Sequence, residues 1–93
     1  MKKRNNLKKA LAGFVNSPAK LPGGYPAALR SDWVNEDHSS VHVEVRGPFI
    51  TVDSDGDFWW REYENARIAF TVGKRFAAIL KADGYHKVEG AEK

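Results

Sequence analysis

The sequence predicts an α+β fold: an N-terminal helix, a three-stranded antiparallel sheet, and a long C-terminal helix packed on the sheet. Three observations support this prediction. Val41, Val43 and Val45 alternate with polar residues, as in a strand with one buried face. An acidic turn at residues 53–57 separates two apolar runs, as in a β-hairpin. Apolar residues then recur at helical spacing over residues 65–82.

The first predicted element is a helix over residues 3–15. Leu7, Leu11 and Phe14 recur at helical spacing within it. The helix ends before Pro18, since the residue before a proline avoids the helical conformation. A helix of this length is marginal in isolation, so we expect it to need a packing partner.

Residues 16–40 are predicted to be a loop or linker. Prolines and glycines interrupt its first part: Pro18, Pro22, Gly23, Gly24 and Pro26. Because so long a linker is unusual inside a compact domain, two alternatives remain. Either the N-terminal helix is a separate appendage, or apolar residues hold the linker on the body: Tyr25, Leu29, Trp33 and Val34. We divide the chain into a basic N-terminal helix with its linker (1–40), a β-β-β-α core (41–88) and a tail (89–93).

The predicted strands span residues 41–46, 49–52 and 58–63. The sequence predicts the pairing register of the hairpin between the last two strands. A three-residue loop places Val52 opposite Phe58 and keeps one face of the hairpin apolar. A two-residue or four-residue loop would place Arg61 beside Ile50 on that face. We therefore expect the three-residue loop.

In this register the other face of the sheet shows Phe49, Trp59 and Tyr63. If exposed, these rings would form a flat platform that stacks bases or anchors a protein partner. If covered by the N-terminal helix or by the segment around Trp33, they would form a second core layer. We favour the covered alternative, because large exposed aromatic patches are rare in monomers. An uncovered face or a free edge strand would allow a homodimer.

Residues 65–82 form the longest predicted helix. Ala69, Phe76 and Leu80 lie on its apolar stripe. Its charged residues face outward: Arg67, Lys74, Arg75 and Lys81. Gly84 is placed for a C-terminal cap, and a short last strand can follow at residues 85–88.

The formal net charge of +3 conceals a division along the chain. Residues 1–31 contain seven Lys and Arg and no acid, whereas residues 32–64 contain nine acids and two Arg. Residues 65–82 contain four Lys and Arg and no acid. An asymmetry of this size indicates an anionic partner for the basic segments, although a basic N-terminus that aids solubility or docks on the acidic part explains it equally well.

The charge division supports two functions for a small non-enzymatic binding module. The first is a nucleic-acid-associated accessory protein, whose basic N-terminal arm and last helix contact phosphates. The residues expected to do so are Lys2, Lys3, Arg4, Lys8, Lys9, Lys74 and Arg75. The alternative is a protein-interaction or inhibitor module that offers an acidic, aromatic sheet surface to a basic protein. The residues expected there are Asp53, Asp55, Asp57, Trp59 and Tyr63.

Catalytic and metal chemistry find little support in the sequence. The chain has no cysteine, which excludes disulfides, thiolate metal sites and thiol nucleophiles. The acids of residues 53–57 and Glu64 have the ligand spacing of an EF-hand loop, but Phe58 occupies the position that requires glycine. None of the histidines, His38, His42 and His86, forms an i,i+4 pair on a helix. His38 and His42 are four residues apart, but they span a predicted loop and strand. We expect no metal, no cofactor and no enzymatic activity.

The predicted order of helix, three strands and helix resembles that of the double-stranded RNA-binding domain. The resemblance is limited to this order. That family has a basic cluster at the start of its last helix, whereas Lys74 and Arg75 come well inside the helix here. The acidic hairpin and the long connection after the first helix also depart from the family pattern. We therefore do not assign the chain to that family.

The apolar runs are only a few residues long, so we expect no membrane-spanning helix. The basic start resembles a signal peptide, but polar residues interrupt what would be its apolar region: Asn5, Asn6, Lys8 and Lys9. We expect a cytoplasmic protein.

Overall fold

The computed structural model describes residues 6–16 and 24–88. These residues form an α+β fold, as predicted, with two helices and a sheet of six antiparallel strands rather than three. The helices are α1 (Asn6–Ala10) and α2 (Ala66–Ala82). The strands are β1 (Val15–Asn16), β2 (Ala27–Val34), β3 (Ser40–Arg46), β4 (Phe49–Ser54), β5 (Asp57–Glu62) and β6 (His86–Val88). Neither helix is long and apolar enough to cross a lipid bilayer.

The strands lie in the order β1-β5-β4-β3-β2-β6. Strands β2 to β5 form a meander in which each strand pairs with the next. The short strand β1 pairs with β5 at one edge, and β6 pairs with β2 at the other. Helix α2 therefore connects strands at opposite sides of the sheet, and it packs on β2, β3 and β4 in between.

Strand β2 corrects the prediction of a linker over residues 16–40. Its side chains alternate between the two faces of the sheet, and Trp33 on the helix side is almost fully buried. The alternation is hard to see in the sequence because Ser31 occupies an inward position. The Ser31 hydroxyl accepts a hydrogen bond from Trp33 Nε1 at 2.9 Å, which satisfies both polar groups there.

The hydrophobic core lies between the sheet and the two helices. The sheet contributes inward valines and isoleucine: Val41, Val43, Val45, Ile50 and Val52. Helix α2 contributes Ala69, Phe76 and Leu80. Leu7 and Leu11 belong to the same core cluster, so α1 packs on the same side of the sheet as α2. We call this side the helix side, and the opposite surface of the sheet the far face.

Helix α2 has well-defined ends. Asn65 is its N-cap, and the Asn65 side chain accepts a hydrogen bond from Ile68 N at 2.9 Å. At the other end Gly84 N donates to Lys81 O at 3.0 Å and Tyr85 N donates to Leu80 O at 2.9 Å, the two bonds of a Schellman motif. The predicted helix and its glycine cap are therefore confirmed.

The predicted register of the β4–β5 hairpin is wrong. Ser54 pairs with Asp57, which leaves the two-residue loop Asp55-Gly56. Both loop residues have positive φ, 50° and 92°, as a type I′ turn requires. Val52 consequently lies opposite Trp59.

The same register places Arg61 opposite Ile50, contrary to prediction. It is tolerated because Arg61 lies near an edge of the sheet, where its side chain stays exposed although it shares a face with the core. Phe49 pairs with Glu62 and points to the far face, whereas Trp59 points to the helix side.

The close approach of α2 to the sheet depends on Gly73. This residue is buried in the middle of the helix, and a Cβ atom there would overlap Val45 Cγ2. We predict that Gly73→Ala lowers the free energy of unfolding by about 1–3 kcal/mol, although alanine is the better helix former. Urea unfolding measures this change.

The matched control is Thr71→Ala on the exposed side of the same helix, which should leave stability nearly unchanged or raise it slightly. Adding Val45→Ala to Gly73→Ala should cost less than the two single changes together, because it removes the overlapping methyl groups. A Gly73→Ala variant as stable as the parent protein would contradict this packing.

Candidate functional site

The candidate site is a layer of exposed cations on the helix side. Lys8 and Lys9 are exposed on α1, and Lys74 and Arg75 are exposed on α2. The structure therefore brings four of the seven predicted phosphate-binding residues into one helical layer. The other three lie outside the described residues: Lys2, Lys3 and Arg4.

The position of α1 is fixed by the acid that follows α2. Asp83 accepts hydrogen bonds from Asn6 N at 3.1 Å and Leu7 N at 2.8 Å, which caps the first turn of α1. After α1, the Phe14 ring packs edge-on against Phe76, with 6.1 Å between the ring centroids. The two helical segments therefore run in opposite directions, with the start of α1 beside the end of α2.

The exposed surface of α2 carries a regular row of cations. Arg67, Lys74 and Lys81 are seven residues apart, which is about 10.5 Å per interval along a helix. Small exposed residues, Thr71 and Ala78, lie between them. The half-buried Phe70 lies between the first two cations, beneath Lys74.

Arg61 joins the cationic layer through the hairpin register. It lies on the helix side of β5, and its guanidinium stacks 4.8 Å from the centroid of the Tyr63 ring. Arg61 is not among the residues predicted to bind phosphate, because the predicted register places it on the other face, near the aromatic platform. The Asp55-Gly56 pair, which favours a two-residue type I′ turn, was the signal that could have located it.

The cations of this layer have little charge compensation. None of them forms an ion pair with another residue that the structure describes: Lys8, Lys9, Arg61, Arg67, Lys74, Arg75 and Lys81. Lys74 Nζ lies over the Phe70 ring at 5.1 Å from its centroid. Asp83, the acid nearest in sequence to α2, is already hydrogen-bonded to α1.

The predicted protein-binding acids lie elsewhere, at one end of the sheet. Asp53, Asp55 and Asp57 are exposed at the β4–β5 turn. Asp55 Oδ1 accepts a hydrogen bond from Ser40 N at 3.2 Å, which joins this turn to the start of β3. We call the three aspartates the acidic tip.

The acidic tip influences Tyr85, which follows α2. Burial raises the pKa of the Tyr85 phenol, and the charges of Asp55, Asp83 and Asp37 raise it further. Asp55 lies in the β4–β5 turn, Asp37 between β2 and β3, and Asp83 after α2. The charges of all three therefore raise the pKa of the same tyrosine.

The EF-hand spacing does not correspond to a loop in the structure. Asp57 of the acidic tip begins β5 and Glu64 follows that strand, so the extended strand keeps Glu64 away from the tip. No group of three or more His, Asp or Glu within residues 6–16 and 24–88 is arranged to hold a metal ion.

The predicted aromatic platform is divided between the two faces of the sheet. Trp59 and Tyr63 are half-buried and pack against the core on the helix side. Phe49 lies on the far face, where its ring centroid is 5.8 Å from that of Tyr25 and 6.2 Å from that of Trp60. The three predicted rings therefore do not form one binding surface.

The far face also carries a polar network that the sequence analysis did not identify. Glu44 lies at the centre of this network and is buried, with 9% of its surface exposed. Arg46 Nε donates to Glu44 Oε1 at 2.5 Å, and His42 Nε2 lies 2.6 Å from Glu44 Oε2. Arg30 Nε is 3.6 Å from Glu44, and His42 Nδ1 is 2.5 Å from Asp32 Oδ1. Three of these residues alternate along β3, but the partners on β2 become visible only with the strand pairing.

We compared the chain with protein-family models, with curated proteins and with solved structures, and none of the three comparisons found a match. The geometry of the described residues alone therefore supports the functional proposal.

The attachment of α1 generates a testable prediction. Replacing Asp83 by alanine leaves two backbone N–H groups of α1 without their acceptor, so we expect a loss of about 0.5–2 kcal/mol in unfolding free energy. Amide hydrogen exchange in α1 should accelerate more than exchange in the sheet. Asp57→Ala, at an exposed aspartate, is the matched control and should change neither quantity appreciably. Equal effects of the two substitutions would contradict the capping role.

Proposed function

We propose that the protein binds nucleic acid through the helical layer, with its cations contacting phosphates and without reading base sequence. The observation that carries the proposal is the set of exposed cations on α1, β5 and α2 that have no ion-pair partner among the described residues. Phosphate contacts supply most of the affinity of non-specific nucleic-acid binding.

The shape of the layer supports a polyanion as the ligand. The row Arg67, Lys74 and Lys81 extends over about 21 Å at the rise of an α-helix. Thr71 and Ala78 leave space between these cations for a broad ligand. A single small anion would use one position, whereas a phosphate backbone can contact the whole row.

The basic N-terminal arm belongs to the same proposal. Lys2, Lys3 and Arg4 directly precede α1 in the chain, and Lys8 and Lys9 are exposed on α1 itself. Leu7 and Leu11 are buried in the core, so deletion of the whole segment would damage the fold as well as remove charge. Charge-neutralising substitutions are therefore the appropriate test.

We predict that Lys74→Gln with Arg75→Gln weakens binding to a fluorescent double-stranded DNA oligonucleotide, measured by anisotropy at several salt concentrations. Each lost phosphate contact should reduce the slope of log affinity against log salt by about 1, so the double variant should lose about 2. Lys8→Gln with Lys9→Gln should have a similar effect.

The matched control is Arg30→Gln, which removes one positive charge from the far face. Arg30 is 66% exposed in its side chain and makes only a 3.6 Å contact with Glu44, so the fold should tolerate the change. We expect the salt slope of this variant to equal that of the parent protein. A slope loss from Arg30→Gln of about half that of each helix-side double variant is what net charge alone would give, and it would contradict a defined binding face.

The acidic tip supports a second candidate, the binding of a basic protein. Asp53 and Asp57 are exposed beside Asp55, and the body of the chain around them is acidic. Charge reversal by Asp53→Lys with Asp57→Lys should abolish binding of a lysine-rich peptide in isothermal titration calorimetry. Asp55 is left unchanged because its φ of 50° favours a residue that accepts the turn conformation. Peptide binding that survives the reversal would exclude the acidic tip as the contact.

A further inference from the structure

His42 lies between two carboxylates on the far face. Its Nδ1 is 2.5 Å from Asp32 Oδ1, and its Nε2 is 2.6 Å from Glu44 Oε2. An ionised carboxylate can only accept hydrogen bonds, so each ring nitrogen must carry a proton to bond its neighbour. A neutral imidazole carries only one such proton. The geometry therefore fits an imidazolium that donates to both acids.

The charged groups around His42 come from four strands. Arg30 and Asp32 face it from β2, and Glu44 and Arg46 flank it on β3. Asp53 lies opposite His42 on β4.

On β6, His86 pairs with Val34 and Val88 pairs with Asp32, which places a second imidazole near the same edge. With His42 protonated, the two arginines and the imidazolium balance the three acids of this surface. Loss of the proton leaves one uncompensated negative charge and leaves one ring nitrogen as an acceptor that faces a carboxylate, either Asp32 or Glu44.

We propose that His42 is a proton-operated clip, whose imidazolium joins β2 to β3 and whose deprotonation weakens the attachment of β2. Asp32 belongs to β2, whereas His42 and Glu44 belong to β3, so the first of the two bonds crosses the strand boundary. The device lies on the far face and is independent of the cations proposed to bind nucleic acid.

The place of β2 in the sheet makes such a clip effective. Among the described residues, β2 pairs on its outer side at Asp32, Trp33 and Val34, with the three residues of β6. On its inner side it pairs with β3 over most of its length. The boundary with β3, where the His42 bond lies, is therefore the longest strand pairing of β2 in the described part of the chain.

The titration properties of the two central groups agree with the geometry. Burial lowers the pKa of His42, but its hydrogen bonds to Glu44 and Asp32 outweigh burial and raise that pKa above the ordinary value of 6.5. Burial alone would raise the pKa of Glu44, but hydrogen bonds from His42 and Arg46 lower it below the ordinary value of 4.5.

The sign of the pH dependence follows from these directions. Because the pKa of His42 is raised in the folded protein, its stabilisation is complete below pH 6.5 and is lost as the pH rises through the raised pKa. Because the pKa of Glu44 is lowered, its stabilisation is present above pH 4.5 and is lost as the pH falls through the lowered pKa. The clip is therefore closed in mildly acidic solution and opens towards alkaline pH.

The test is an NMR titration of the His42 imidazole in the full chain, combined with amide hydrogen exchange. We expect His42 to titrate above the ordinary value of 6.5. As it does so, protection factors in β2 should fall by about tenfold for each unit by which the His42 pKa exceeds its ordinary value, while those in β4 change less.

Asp32→Asn supplies a second measurement on a conservative, exposed substitution. It should lower the His42 pKa towards the ordinary value of 6.5 and remove most of the pH dependence of β2 protection. Titration of His42 at or below 6.5 in the parent protein would overturn the proposal. Unchanged β2 protection through the titration of His42 would overturn it as well.

Discussion

The pairing register of β4 with β5 decides which side chains of β5 join each surface of this protein. Side chains alternate along a strand, so a shift of one residue would move each side chain of β5 to the opposite face. The Asp55-Gly56 turn fixes the register, since both residues adopt the positive φ that a type I′ turn needs. The register turns Trp59 and Arg61 to the helix side and Trp60 to the far face.

The two faces of the sheet differ in what packs on them and in how their charges are compensated. On the helix side, the absence of a side chain at Gly73 lets α2 lie directly on Val45, and the apolar residues of both helices close the core. The charged residues of α1 and α2 are left in water, where they can contact an anionic partner. On the far face, charges of both signs are paired within the sheet around the buried Glu44. The sheet therefore separates the helix-side cations, which have no ion-pair partner among the described residues, from the paired charges of the far face.

Local patterns allowed part of this structure to be predicted. The 3.6-residue period located α2 and its outward Lys74 and Arg75, and the alternation of valines located β3. Strand β2 was missed because the polar Ser31 interrupts its inward row. The hairpin register was wrong because Arg61 was expected to avoid the apolar face, although its place near a sheet edge leaves it exposed.

The interactions that lie far apart in sequence could not be predicted from local patterns. The hydrogen bond from Leu7 N to Asp83 joins residues 76 positions apart. The contact of Asp32 with His42 requires knowledge that β2 pairs with β3. Lys8, Lys9, Lys74 and Arg75 could be predicted as candidates from the sequence. That they lie in one helical layer could not be predicted, because it depends on where α1 packs.

The central claim is that the hairpin register places Trp59 and Arg61 on the helix side and Trp60 on the far face. Nuclear Overhauser contacts between backbone protons across β4 and β5 test it most directly. We expect cross-strand contacts between Val52 and Trp59 and between Ile50 and Arg61. Contacts that instead pair Val52 with Phe58 and Ile50 with Trp60 would contradict the account, because they would place Arg61 on the far face and Trp60 on the helix side.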